Sequence, residues 1–359
     1  MTVLAIVQSW NERDPVRGFT VGWIGQLARE TGRVVVIALE KRHEPSDPRI
    51  TVISLGKEAG AGTGFRLRYL FSWHRAITSA FRLHRPDVIF THMTPLYSLL
   101  AFPYALRYRV PIVTWFLHPR GGIVTRLAHM VSSRAVSASR ESYPYPDRKL
   151  VPIGHGIDTG FFSPGAGSRD VPPLILSAGR ISPIKNCALL IDAAAILRDR
   201  GFPAFSVMFA GGPVTGADRA YQACLERHAA SAGLADTVRF VSALPADALR
   251  DAYRCATLHV NCTESGSGDK VILEAMACGT PSLAVSPVFS DAFGAYRRIA
   301  VSAPHAVALA EHIGDILTMP PAAYAAFRAT CLEGVRSRYS LPVFFRSLTR
   351  VFHEIRPGR

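Results

Sequence analysis

Two stretches of this chain have residue types and spacings suited to holding a diphosphate. The first is Gly266-Ser-Gly-Asp-Lys-Val-Ile-Leu-Glu-Ala-Met-Ala-Cys-Gly-Thr-Pro281. Asp269 stands where it can cap a helix, Val271 to Ala277 are good helix formers, Gly279 fits the position past the helix end, and Pro281 prevents continuation. A glycine-containing loop that opens a helix presents N–H groups and the positive end of the helix dipole. Around Gly268, Lys270 and Val271 this makes an anion site. Glu274, more than one turn into the helix, can accept hydrogen bonds from ribose hydroxyls. An ordinary capped helix with a surface Glu would use the same residues, so this stretch alone leaves both readings open.

The second stretch is Leu174-Ile-Leu-Ser-Ala-Gly-Arg-Ile-Ser-Pro-Ile-Lys-Asn186. A buried strand ends at Gly179, and Arg180 and Lys185 follow in the loop. Parallel sheets bind ligands beyond the carboxyl ends of their strands. Arg supplies a bidentate fork and Lys a point charge, a pairing suited to a diphosphate leaving group. Two solvated loop cations are the plainer reading, and the placement at a strand end favours the functional one.

Other constellations say less. His92, His118 and His155 lack metal-ligand spacing, and no Asp-x-Asp occurs to clamp a metal ion. Chemistry without a metal follows, with cations and helix dipoles neutralising the leaving group. Gly154-His-Gly-Ile-Asp-Thr-Gly160 misplaces the last glycine of a dinucleotide fingerprint and opens no helix. Phe65-Arg-Leu-Arg-Tyr-Leu-Phe-Ser-Trp-His-Arg75 mixes aromatics with cations, as a surface for an anionic membrane or lipid-linked acceptor would. A core helix with solvated Arg residues is the preferred reading there.

The elements that must position these residues alternate between apolar β-branched runs and helix-period segments, the pattern of parallel sheets covered by helices. In the first half, strands are predicted at 3–7, 34–38, 51–54, 88–91, 112–115, 135–137 and 150–153, with helices at 19–31 and 69–84. The acid- and base-free run Val88–Leu106 reads as strand, turn and buried helix because Pro95 and Pro103 interrupt it. Residues 161–173, rich in Gly, Pro and Ser, read as a linker. A second series has strands at 174–177, 205–210, 238–241, 258–260 and 282–284, with helices at 188–200, 217–232, 246–255 and 270–278. A basic apolar helix at 341–355 follows, whose role is packing.

The 359 residues suffice for two domains, and 48% hydrophobic with 19% charged residues describes a globular chain. The formal charge of +14 attracts nucleotides, nucleic acid or acidic membranes without choosing among them. The N-terminus runs directly into Val3–Val7, so no signal peptide is expected. Six cysteines, all in the second half and without a Cys-x-x-Cys, predict reduced thiols and a cytoplasmic setting.

The second half resembles the retaining glycosyltransferases of family 4, which have the GT-B fold. The resemblance rests on Ser177-Ala-Gly-Arg180-Ile-Ser-Pro-Ile-Lys185, Phe209-Ala-Gly-Gly-Pro213, Val238-Arg-Phe-Val241, Leu258-His-Val-Asn261 and Leu273-Glu-Ala-Met-Ala-Cys-Gly-Thr-Pro281. It reaches back to Gly154-His-Gly-Ile-Asp158 and, more faintly, to Thr114-Trp-Phe-Leu-His118 and the loop of Gly18. The implied fold is α/β, two Rossmann-like domains with parallel sheets facing across a cleft. Residues 1–165 would be the acceptor-side domain and 172–338 the nucleotide-sugar domain, with the helix of 341–359 packing back on the first.

The resemblance also implies a donor site. Arg180 and Lys185 would bind the diphosphate, Glu274 the ribose, and His118 would lie beside the transferred sugar. The Val241–Leu244 region, with Ser242, would border the nucleobase, Gly212 would bind the donor, and Gly18 would face the phosphates. One departure is that Gly266 stands where the family usually has the first Glu of a Glu-x7-Glu pair, with Glu264 two residues earlier. The expected activity is transfer of a hexosyl unit from a nucleoside diphosphate sugar, the co-substrate, to a hydroxyl acceptor on a glycan, lipid or small molecule. Retention, no metal and no other cofactor are expected, at the inner face of a membrane or free in the cytoplasm. A non-catalytic nucleotide-sugar sensor is the alternative, motivated by Gly266. A nucleic-acid-binding protein rests on charge alone, and no such partner is expected.

Overall fold

The computed structural model describes residues 1–12, 18–59, 65–165, 172–264 and 268–356, with the side chains of 19, 59 and 65–68 left out. The chain divides into two compact units, Met1–Gly154 with Pro342–Arg359, and His155–Leu341. The division falls at Gly154 and not in the 165–172 region. The residues in between belong to the second unit: the Ile157 amide donates to the Tyr339 carbonyl at 2.8 Å, and the Phe162 ring packs 6.3 Å from that of Tyr253. Of the expected linker, residues 166–171 lie outside the described residues.

The first unit runs β1 (Thr2–Trp10), α1 (Phe19–Thr31), β2 (Arg33–Lys41), β3 (Ile50–Ser54), α2 (Phe65–His84), β4 (Val88–His92), α3 (Pro95–Tyr108), β5 (Ile112–Trp115), α4 (Ile123–Val131), β6 (Arg134–Ser137) and β7 (Leu150–Pro152). Its sheet is parallel, in the order β3-β2-β1-β4-β5-β6-β7. Residues 3–7 of β1 and 34–38 of β2 are buried throughout, as strands covered on both faces must be. The Val88–Leu106 run is indeed strand, turn and helix. The helix is only partly buried, however, since Leu96 and Leu106 reach solvent while Tyr97, Ser98, Ala101 and Ala105 face inward.

The second unit continues with β8 (Leu174–Ala178), α5 (Cys187–Asp199), β9 (Ser206–Ala210), α6 (Gly216–Ser231), β10 (Val238–Val241), α7 (Ala246–Cys255), β11 (Leu258–Asn261), α8 (Lys270–Ala277) and β12 (Ser282–Ala284). Three more helices follow, α9 (Arg297–Ala300), α10 (Ala306–Leu317) and α11 (Pro321–Arg338). Its parallel sheet has the order β10-β9-β8-β11-β12. The first strand lies centrally, the next two build outward on one side, and the chain then crosses to the other. Strand order reverses between β8 and β11, the place where open α/β sheets bind ligands.

Helix α12 (Leu341–Ile355) returns to the first unit. Phe344 and Phe345 pack on Trp23, with ring centroids 4.5 and 5.5 Å away, and Trp115 lies 5.2 Å from Phe344. Arg356 closes the contact on Asp87 at 2.9 Å. Phe344 is fully buried. Phe344→Ala should therefore destabilise the first unit by about 3–5 kcal/mol, the range for deleting a core aromatic ring. Chemical denaturation checks this, and an unchanged midpoint would mean α12 is dispensable to the core.

Candidate active site

The carboxyl ends of β8, β9 and β11 bring three loops together. After β8 the backbone turns through Gly179 and Arg180 into a short 3-10 turn, Pro183–Lys185. After β9 it passes Gly211 and Gly212 before α6. A Cβ on Gly211 would lie 1.9 Å from the Gly179 carbonyl oxygen, and its φ is +159°. Glycine is thus what lets these two loops touch. The Ile181 amide donates to the Gly212 carbonyl at 3.3 Å and the Gly211 amide to that of Val241 at 3.1 Å, tying β8, β9 and β10 loops into one rim.

Lys185 does not stand alone at this rim. Its Nζ lies 2.5 Å from Oδ2 of Asp269, which also accepts from Thr263 Oγ1 at 2.7 Å and Asn261 Nδ2 at 3.0 Å. Three donors from the β8 and β11 loops therefore converge on one carboxylate oxygen. Burial alone would raise the Asp269 carboxyl. The Lys185 ammonium and the hydroxyl and amide donors outweigh that and hold it below its ordinary value. A small depression between β8 and β11 is lined by Gly179, Arg180, Lys185, Asn261 and Thr263, at the point where strand order reverses.

This corrects one expectation. Asp269 occupies the position before α8 but makes no side-chain cap bond to it. The Lys185 ammonium carries a full charge where a backbone amide carries a partial one, and with Asn261 and Thr263 it draws the carboxylate away from the helix. The opening turn of α8 is consequently not covered by its own carboxylate. The end of α8 matches expectation: Gly279 has φ +78°, and its amide donates to the Met276 carbonyl at 3.0 Å.

Arg180 is half-exposed, with Nε 3.5 Å from Oδ2 of the buried Asp218. Asp218 was not singled out in the sequence. Its side chain accepts from the amides of Val214 and Thr215, and Thr215 caps α6 in return. These bonds, with the nearby Arg180, lower the Asp218 carboxyl. The pattern Thr215-x-x-Asp218 is a capping-box signature and was the available signal. Asn261 and Thr263 were also missed as partners of Asp269, and nothing local announces them.

Glu274 is buried on α8, with Oε1 3.1 Å from Lys270 Nζ and Oε2 3.5 Å from Tyr253 Oη. Burial, then the adjacent Glu274 charge, pushes the Tyr253 phenol well up. Gly268 is hemmed in: a Cβ there would meet Phe289 Cζ at 2.2 Å. Its carbonyl accepts from His155 Nε2 at 3.0 Å, and burial lowers the His155 imidazole to about 4. His155 is thus a neutral strut for the β11–α8 loop. Glu264 accepts from Asn186 Nδ2 at 2.9 Å. Gly266 lies outside the described residues.

Val241 and Ser242 border, with Gly212, an open groove of about 360 Å³ between β10 and α6. Val271 lies half-buried in the first turn of α8. In the first unit, Gly18 precedes α1, and its carbonyl accepts from the Val21 amide; residues 13–17 of that loop are not described. His118 is exposed after β5, its Nδ1 3.1 Å from the Arg120 amide and 2.9 Å from the Arg120 carbonyl. His92 is a core residue against Trp23, lowered to about 4 by burial. Among the described residues no group of three His, Cys, Asp or Glu side chains has the geometry to hold a metal.

Comparison with known proteins agrees with the geometry of the second unit. Residues 160–330 match the family model described as Glycosyl transferases group 1. A D-inositol 3-phosphate glycosyltransferase of Geodermatophilus obscurus is 32% identical over 182 residues, 46% of this chain and 39% of the relative. One of Salinispora arenicola is 37% identical over 165 residues, 41% of this chain and 36% of the relative. The matches thus span less than two fifths of those relatives' length. A glycosyltransferase of Rickettsia africae superposes with a TM-score of 0.77 at 13% identity, covering 100% of this chain and 99% of the other. Anabaena HepE in complex with UDP-glucose superposes with a TM-score of 0.68 at 16% identity, covering 99% and 100%. Residues 160–330 therefore carry a group 1 glycosyltransferase domain, in a chain with the GT-B fold.

Proposed function

We propose that this chain is a glycosyltransferase that moves a hexosyl unit from a nucleoside diphosphate sugar to a hydroxyl acceptor, with retention at the anomeric carbon. The observation that carries this is the convergence of Arg180, the Lys185–Asp269 pair and the opening turn of α8 at the β8–β11 switch point. Anabaena HepE, whose fold is similar, binds UDP-glucose, which supports a nucleotide sugar as donor.

In this reading Arg180 forks onto the diphosphate and Lys270 meets it at the helix start. Lys185 has three N–H donors, of which Asp269 takes one. Glu274 accepts from ribose hydroxyls, and Gly212, Val241 and Ser242 border the base. The bond from the anomeric carbon to the phosphate oxygen breaks as the acceptor oxygen attacks from the same face. The acceptor proton passes to the departing phosphate. Fixed cations and amides stabilise the charge that develops there, with no metal and no cofactor beyond the co-substrate.

A thermal-shift panel of nucleoside diphosphates and nucleotide sugars tests this. One donor at a hundred times its Kd should stabilise the protein by about 2.7 kcal/mol. The absence of a shift with every donor at saturating concentration would remove the donor site.

A further inference from the structure

Helix α4 carries an apolar stripe that faces solvent. Ile123, Leu127 and Met130 recur at helical spacing and are 75%, 44% and 62% exposed, with Val124 beside them at 43%. The other side of the helix, Thr125, Ala128 and His129, is buried. Single exposed apolar residues are commonplace, but four on one side of a nine-residue helix form a patch that invites an occupant.

The chain segment that carries the stripe has charges of one sign. From Val88 to Arg140 the chain contains no Asp or Glu and six Arg. Arg126 flanks the stripe on α4 itself and Arg120 lies in the loop before it, both exposed. Lys149 adds a third cation at the far end, where its Nζ donates to the His129 and Met130 carbonyls. The next acids along the chain, Glu141 and Asp147, are both exposed, and Asp147 is bonded to His129 of the helix at 3.1 Å.

We propose that α4 is a docking element for an anionic lipid surface. Ile123, Val124, Leu127 and Met130 enter the boundary between headgroups and acyl chains, while Arg120 and Arg126 meet the lipid phosphates. The contact is peripheral: among the described residues no helix is long and apolar enough to cross a membrane. A second copy of the chain is the rival occupant. Self-pairing would bring two arginine-bearing helices together on molecules that each carry a formal charge of +14. An anionic bilayer satisfies both the apolar stripe and its basic flank. The proposal does not depend on the transferase reading, and its test has no catalytic readout.

The full chain is sedimented with vesicles of phosphatidylcholine alone and of phosphatidylcholine with phosphatidylglycerol, at low and high salt. Wild type should pellet with the anionic vesicles at low salt and be released by salt. The variant Ile123→Ser/Leu127→Ser/Met130→Ser should lose about tenfold or more in vesicle affinity, and so should Arg120→Glu/Arg126→Glu. All five positions are exposed, and melting curves identify any variant that has not folded. Wild type left in the supernatant with anionic vesicles overturns the proposal, as does undiminished binding by the folded variants. A dimer in light scattering that the serine variant dissolves would assign the stripe to a second copy instead.

Discussion

Lys185→Ala is expected to lower kcat/KM by about a hundredfold or more and to destabilise the second unit as well. The kinetic part follows from the proposed function, in which Lys185 is a fixed cation beside the developing diphosphate charge, an effect commonly worth ~3 kcal/mol. The stability part follows from Asp269. With 24% and 15% of their side chains exposed, Lys185 and Asp269 form a mostly desolvated pair, and removing the cation leaves a carboxylate held by Asn261 and Thr263 alone. Stranding such a charge costs about 2–3 kcal/mol, somewhat below the range for fully buried pairs. Asp269→Asn keeps the shape and the amide contacts, so its stability loss should be smaller, while it frees the ammonium.

Acid titration separates this charge effect from packing. The Asp269 carboxyl is held below its ordinary value in the folded protein. Its contribution is therefore complete above the unfolded pKa of about 3.9 and is lost as pH falls through the lower folded value. The melting difference between wild type and Lys185→Ala should persist at neutral pH and shrink as the Asp269 carboxyl is protonated in acid, starting earlier in the variant, where burial raises that carboxyl without the ammonium to oppose it. A difference that stays constant into the acid limb would assign the effect to packing. Unchanged turnover in the variant would take Lys185 out of the active site.

Much of the fold was legible in the sequence because buried parallel strands are apolar runs ending in glycine-rich turns. Strands 112–115, 238–241 and 282–284 and helices 19–31 and 246–255 stand where periodicity puts them. Other ends shift by a residue or more, as with α6, which begins at Gly216 because Thr215 supplies the cap. Local rules failed where a distant partner won. Asp269 reads as a helix cap until Lys185, 84 residues away in the chain, is folded against it. The Arg180–Asp218 contact is of the same kind, although its capping box could have been read. Helix α4 has its apolar residues at helical spacing, but nine residues are too short a run for that period to stand out in the sequence. The acceptor has no comparable signature: it would be recognised by pocket shape, which no short motif encodes.

Glu274 poses the sharpest choice between a ligand-binding and a purely structural carboxylate, and Glu274→Gln decides it. The side chain is only 5% exposed and already faces Lys270 and Tyr253, so a structural role needs nothing more. The Lys270 side chain, however, is 53% exposed, and an ion pair with one solvated member is worth little. Tyr253 is the buried partner, at a long 3.5 Å. Neither contact compensates well for burying a carboxylate, whereas two ribose hydroxyls would do so with charge-assisted bonds. Glu274→Gln should thus weaken nucleoside diphosphate binding by about tenfold to a hundredfold, equivalent to ~1.4–2.7 kcal/mol. Tyr253→Phe should leave that affinity in place and reduce stability by about 1 kcal/mol. If Glu274 serves the fold alone, the pattern inverts: Glu274→Gln lowers the melting temperature while the ligand-induced shift stays the same. Because both substitutions are nearly isosteric, ligand-dependent and ligand-free melting of the same two variants tells the roles apart.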